Sequence, residues 1–197
     1  MKLSRISKKV IVIGVSFFIA SVITRAIPLV VDRPQILGFT RISTLTVSEN
    51  FDEFKIDITK APQYFSSVGK VYAALSSPYS NSFENFKVEM SLGENNWTEV
   101  PLHSSLPDVS DTSKFADLGY INLNQFTITV YGKYSIPPQQ LQLIPGISKE
   151  NVLNSFNGSL FINPIITGRD WVLIILLFFS SWSLILGILR FVLSNSD

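Results

Sequence analysis

Cysteine is absent from this chain of 197 residues, and histidine occurs once, at His103. The first absence removes disulfides, so the protein must stand on apolar packing even where a compartment would oxidise thiols. Together the two leave too few soft or imidazole ligands for a zinc, copper, haem or iron–sulfur centre, and neither a cofactor nor a metal is expected. Charge is sparse as well: 16% of residues are Asp, Glu, Lys or Arg, with a net charge of +1. Basic residues form no stripe interleaved with aromatics, which excludes a nucleic-acid surface. Glycine-rich nucleotide loops, internal repeats and low-complexity segments are missing too.

What the chain has is hydrophobic length at both ends. Residues 10–31 and 171–193 are apolar runs of about 22 residues each. At ~1.5 Å per residue such a helix crosses a hydrocarbon core of ~30 Å. Lys2, Arg5, Lys8 and Lys9 precede the first run. By the positive-inside bias they hold the N-terminus in the cytoplasm, and a hairpin topology returns the C-terminus to the same side. Arg190, near the inner end of the second run, can snorkel to the headgroups. The opposite flanks, Asp32/Arg33 and Arg169/Asp170, are charge-balanced, and Trp171 falls where an interfacial aromatic belt is expected. The expected organisation is therefore a basic cytoplasmic tail (1–9), a signal-anchor helix (10–31), a luminal domain (32–170), a second transmembrane helix (171–193) and a cytoplasmic tail (194–197). A cleaved signal peptide is the alternative for the first run. The apolar stretch continues past Ala20, and Ala26 is followed by Ile27 and Pro28, a poor cleavage context. A GPI-attachment tail is the alternative for the second, opposed by Arg190 and the polar ending 194–197.

The 14 acidic and 10 basic side chains of residues 32–170 give the central domain a net charge of −4. Its apolar residues alternate. Phe54-Lys55-Ile56-Asp57-Ile58, residues 86–92 and residues 126–131 read as half-buried strands, with weaker candidates at 43–47, 70–75, 97–102, 120–123, 141–144 and 159–162. Gly93-Glu94-Asn95-Asn96 is a turn joining two of them into a hairpin. The expected fold is an all-β antiparallel sandwich, immunoglobulin-like or jelly-roll-like, outside the cytoplasm and flanked by two transmembrane helices. Phe54, Ile56, Ile58, Phe86, Val88, Met90, Trp97, Phe126, Ile128 and Val130 are the expected core.

Candidate sites are few. Ser16, Ala20 and Thr24 recur every four residues on the first span, and Ser183 and Gly187 do so on the second. Small residues at this spacing let helices approach closely in lipid. Arg25, inside the first span, is a candidate partner contact. Asn96-Trp97-Thr98 and Asn157-Gly158-Ser159 are glycosylation sequons in the segment the topology places in the lumen. Two acidic groups, Asp52/Glu53/Asp57 and Asp108/Asp111/Asp117, fall on outward strand positions or in loops, where carboxylates keep ordinary acidity. Ser67-Val68-Gly69-Lys70 spells Ser-x-x-Lys, but in a loop entering a strand rather than on the helix that would join the pair. His103 has no neighbouring acid in sequence. No catalytic residue is expected.

By the positions of its spans alone, the layout resembles accessory subunits of ER lipid, glycosyltransferase or GPI-anchor machinery, and a reduced seipin. The expectation is a non-catalytic glycoprotein of the endoplasmic reticulum membrane, an accessory or scaffold subunit with membrane-protein partners; the plasma membrane is the alternative location. A lipid-handling module is the second reading, with residues 136–145 as a semi-apolar lip against the bilayer and a lipid as ligand. A membrane hydrolase is the third, and needs buried carboxylates or a Ser–Lys contact.

Overall fold

The computed structural model describes residues 5–39, 43–47, 52–59, 64–83, 86–93, 96–108, 111–136, 138–141 and 144–194. In chain order the elements begin with helix α1 (Arg5–Val31) and strands β1 (Gln35–Phe39), β2 (Ser43–Val47), β3 (Asp52–Thr59) and β4 (Val68–Ser76). There follow β5 (Lys87–Ser91), β6 (Thr98–Glu99), β7 (Leu102–His103), a 3-10 turn (Thr112–Lys114), β8 (Ala116–Asn122) and β9 (Thr127–Ser135). The short helices α2 (Pro138–Leu141) and α3 (Lys149–Asn154), strand β10 (Asn157–Ile165) and helix α4 (Gly168–Ser194) complete it. These elements divide between two compact units.

The first unit holds Met1–Arg33, Gln63–Ser67 and Ile166–Asp197, and so contains α1 and α4. Among the described residues, Lys8–Pro28 and Gly168–Ser194 are long and apolar enough to cross a membrane. Pro28 falls in the last turn of α1, and the Asp32 N–H closes that end on the Pro28 carbonyl at 2.8 Å.

The second unit, Pro34–Pro62 and Val68–Ile165, is rich in sheet. One five-stranded sheet runs β1-β10-β4-β7, with β8 also paired to β4; the other runs β2-β3-β9-β5-β6. Alternation gives each sheet a buried face. Along β9 the residues Ile128, Val130, Gly132 and Tyr134 are buried, and Thr127, Thr129, Tyr131 and Lys133 are less so. Phe54 and Ile56 of β3, and Val88 and Met90 of β5, share that face. In the other sheet Val71, Ala73 and Leu75 of β4 lie beside Leu160 and Ile162 of β10. Phe156, fully buried before β10, meets the rings of Tyr134 at 5.9 Å and Phe86 at 5.8 Å.

The expectation of a purely antiparallel fold needs correcting, because β4 and β7 pair in parallel: Leu75 lies opposite Leu102 and Ser76 opposite His103. The chain passes from β6 in one sheet to β7 in the other through Val100 and Pro101. Proline cannot donate to a ladder, so the original pairing ends there. Trp97 and Phe126 are not core residues. Phe126 is 70% exposed, because β9 begins one residue later and its in–out alternation starts from Thr127. Trp97 is half-buried, its ring 4.6 Å from the Lys133 Nζ. Ile58 and Phe86 are also half-buried.

Of the strand expected at 141–144, Leu141 belongs to α2, and residues 142 and 143 lie outside the described residues. Proline fits the first turn of a helix, where its missing N–H has no intrahelical partner, and Pro138 opens α2. The lip proposed at 136–145 begins with Ile136, which is buried at 4% exposure.

Candidate functional site

In α1, Ser16 and Ala20 are fully buried and Thr24 is 7% exposed. Their side chains are small enough to admit bulky ones from α4. The Trp182 indole Nε1 donates to the Ser16 Oγ at 3.0 Å. Phe17 stands edge-on to Phe178 and Trp182, with centroids 5.1 and 5.7 Å away. The stripe also satisfies its own polar atoms. The Ser16 hydroxyl donates to the Ile13 carbonyl at 2.9 Å, and Thr24 donates to the Ala20 carbonyl at 2.7 Å.

The second small-residue pair does not face α1. Ser183 and Gly187 are exposed, and a Cβ built on Gly187 would meet nothing. The α4 face toward α1 instead carries Phe178 and Trp182, so the interface sets small side chains against large ones. Arg25, one residue beyond Thr24 and thus ~100° around the helix, is exposed and pairs with no described residue.

The helix termini in this unit carry a polar junction. Asp32, just after α1, accepts the backbone N–H groups of Phe65 and Ser66 and the Ser66 hydroxyl. Asp170, 1% exposed in the first turn of α4, accepts the Thr167 N–H and hydroxyl, both at 2.7 Å, and the Ser67 N–H at 3.2 Å. The Ser67 and Thr167 hydroxyls lie 3.3 Å apart. Asp170 thus reaches back to the residue before α4 as the acid of a capping box does, and its negative charge faces the helix's positive end. A buried carboxylate is tolerable because both oxygens are engaged.

Tyr64 adjoins this junction, and its hydroxyl is pushed up to about 12, first by burial and then by the Asp32 charge. Its neutral form is therefore favoured in the folded state. That contribution is complete below the ordinary tyrosine value and falls away as pH rises from about 10 through about 12. Alkaline titration of phenolate absorbance should show a late-ionising component that Tyr64→Phe diminishes. An identical curve for the variant would mean that Tyr64 is solvated.

The second unit places the other candidates apart. The His103 Nε2 lies 3.1 Å from the Lys114 carbonyl, beside a polar cleft of about 300 Å³ lined also by Asn81, Ser104 and Ser105. No carboxylate lines that cleft. The Ser-x-x-Lys letters do not assemble: Ser67 is held by Thr167 and Asp170, and the Lys70 Nζ contacts the Asp117 carboxylate at 2.6 Å. The acidic groups resolve into separate pairs. Asp57 is held below the usual carboxylate range by the Thr129 hydroxyl, then by Lys55. Asp111 is lowered by Ser113, then Lys114, and Asp117 by Lys70, then the Gly119 N–H. Glu53 and Asp108 are exposed, and the Asp52 side chain lies outside the described residues. Among the described residues no three Asp, Glu or His side chains gather as a metal-ligand set. Asn96, near the β5–β6 turn, and Asn157, at the start of β10, are both exposed.

In the sequence Asp32 and Asp170 stand out only as charge-balancing neighbours of Arg33 and Arg169. A signal was present for the second: Thr167-Gly168-Arg169-Asp170 before an apolar run has the spacing of a capping box. Asp32 carried no such signal, because its partners lie more than thirty residues away. No family model matches the chain, and no curated protein matches it.

Proposed function

We propose that the protein is a non-catalytic two-pass membrane subunit, in which α1 and α4 cross the bilayer as a packed pair and a partner membrane protein docks on the exposed side of α1. Arg25 carries the reading. It follows Phe18 and Val22 at helical spacing, on a face where those residues are 67% and 52% exposed. A guanidinium on the lipid side of a span is costly unless it snorkels or meets an acidic or polar partner group. Lys2, Arg5, Lys8 and Lys9, before and in the first turns of α1, support a cytoplasmic N-terminus and, with it, a sheet-rich unit in the lumen of the endoplasmic reticulum. There the exposed Asn96 and Asn157 are glycan acceptors, and the two sheets form a sandwich that braces the partner's luminal part.

The test is purification of the full chain in digitonin, with identification of the membrane subunits that accompany it. Arg25→Leu should lose those subunits while its melting temperature stays that of the wild type, because Arg25 touches nothing in the α1–α4 interface. A wild-type protein that purifies alone, or an Arg25→Leu variant that keeps every companion, would sink the proposal.

A further inference from the structure

The cleft beside His103 has walls that the fold holds in place. One wall is the turn after β4. The Ser77 N–H donates to the His103 carbonyl at 3.0 Å, the Ser80 N–H to the Ser77 carbonyl at 3.1 Å and the Ser82 N–H to the Tyr79 carbonyl at 3.0 Å. The Ser77 hydroxyl accepts the Tyr79 N–H at 3.2 Å and lies 2.8 Å from the Ser155 hydroxyl, just past α3. These bonds fix the segment that carries Asn81. The opposite wall is the 3-10 turn that carries Lys114. A carbonyl can only accept, so the His103 Nε2 donates to the Lys114 carbonyl at 3.1 Å and joins that turn to β7. A site built in advance spends little binding energy on ordering itself.

The lining is rich in hydrogen-bond donors. Lys114, Asn81, Ser104 and Ser105 all donate, and Lys114 is charged. Residues 32–170 have a net charge of −4, yet no described residue lining the cleft is acidic. Lys114 is not locked elsewhere. Its Nζ lies 3.3 Å from the Asp111 carboxylate, but both side chains are exposed, and such a pair contributes little. Asp111 also accepts the Ser113 hydroxyl, so it keeps a partner when the lysine turns to a ligand. A compact cation among neutral donors suits a phosphate, which brings negative charge and several acceptor oxygens. The serine hydroxyls and the Asn81 amide oxygen also accept, which suits alcohol groups. The volume of about 300 Å³ is at the lower end for small-molecule sites.

The geometry points to a binding site for a small phosphate monoester of a polyol, with Lys114 on the phosphate and Asn81, Ser104 and Ser105 on its oxygens and the alcohol groups. The site lies wholly in the sheet-rich unit and is independent of the membrane reading of α1 and α4.

His103 is the sole histidine, so its ring gives one set of signals in the magnetic resonance spectrum of the full chain in detergent, with histidine labelled selectively. Glycerol phosphate, inorganic phosphate, glycerol and chloride are titrated at matched ionic strength. Glycerol phosphate should shift the ring signal saturably, inorganic phosphate should bind more weakly, and glycerol and chloride should leave it in place. Lys114→Gln should weaken glycerol phosphate binding about tenfold, the loss of one charged hydrogen bond. Asp111→Asn, which frees the lysine, should tighten it several-fold. Lys87→Gln, at an exposed lysine of the other sheet, should bind as the wild type does. The absence of a saturable shift, an equal shift with chloride, or wild-type affinity in Lys114→Gln overturns the site. Weaker binding in Asp111→Asn also overturns it, because the loop's order and not the lysine's charge would then be at work. Inorganic phosphate binding as tightly as glycerol phosphate overturns the monoester assignment.

Discussion

Gly132→Ala is expected to destabilise the sheet-rich unit by about 3 kcal/mol, the upper part of the range for forcing extra atoms into a packed core. Gly132 of β9 lies directly across from Phe54 of β3. The Phe54 ring covers the glycine so closely that an added Cβ would fall 2.0 Å from its Cζ. The ring has no room to retreat, being fully buried with Tyr134 alongside at a centroid distance of 6.5 Å. Gly69 differs: the atoms in the way there belong to the end of the Leu123 side chain, which can turn aside.

Phe54→Ala alone should cost about 3–5 kcal/mol through the cavity it opens. The two changes should not add. Once the ring is gone, the alanine at 132 occupies part of the vacated space, so the double variant should be less destabilised than the sum of the singles, by about 0.5–3 kcal/mol. Chemical denaturation of the full chain in detergent, followed by circular dichroism, measures all three. A Gly132→Ala penalty under about 1 kcal/mol, or strict additivity, would mean that the ring does not sit over the glycine.

The same pair shows what a sequence can and cannot disclose about this fold. Phe54 and Ile56 declared themselves by alternating with polar neighbours, as did Val88, Met90, Ile128 and Val130, because each strand has one face in water. Gly132 declared nothing: a glycine in a strand looks like a weakness until the ring opposite it is known. Phe126 continued the alternating letters backward past the true start of β9, and periodicity does not mark where a strand begins. The strand β1, five residues with Gly38 among them, has too little pattern to stand out. Helix α3 is six residues long, less than two turns, so no helical period develops; its start is set by Ser148, whose hydroxyl accepts the Asn151 N–H. In α1 and α4 the two long apolar runs were legible from composition, and along α1 Ser16, Ala20 and Thr24 are buried. On α4 the residues that meet the α1 stripe are the bulky Phe178 and Trp182, which no small-residue spacing marks.

Asp170→Ala should be the most damaging polar substitution in the first unit, at about 3 kcal/mol for buried donors left without an acceptor. It strands the N–H groups of Thr167 and Ser67 and the Thr167 hydroxyl, in a place where Asp170 itself is 1% exposed and water has little access. Asp170→Asn should be intermediate. One oxygen of the carboxylate takes the Ser67 N–H and the other takes both Thr167 donors, and an amide can accept on only one of these sides. Asp32→Ala removes a comparable set of contacts to Phe65 and Ser66, but Asp32 is only half-buried, so water can replace much of what is lost and the effect should be smaller. The expected order of melting temperatures is wild type, then Asp32→Ala and Asp170→Asn, then Asp170→Ala. Amide hydrogen exchange supplies the local readout: Thr167 and Ser67 should exchange faster in Asp170→Ala, while amides in the middle of α4 keep their protection, since a cap acts on the first turn. If Asp170→Ala melts with the wild type and its Thr167 amide stays protected, the carboxylate does not cap α4 and does not hold the segment before β4.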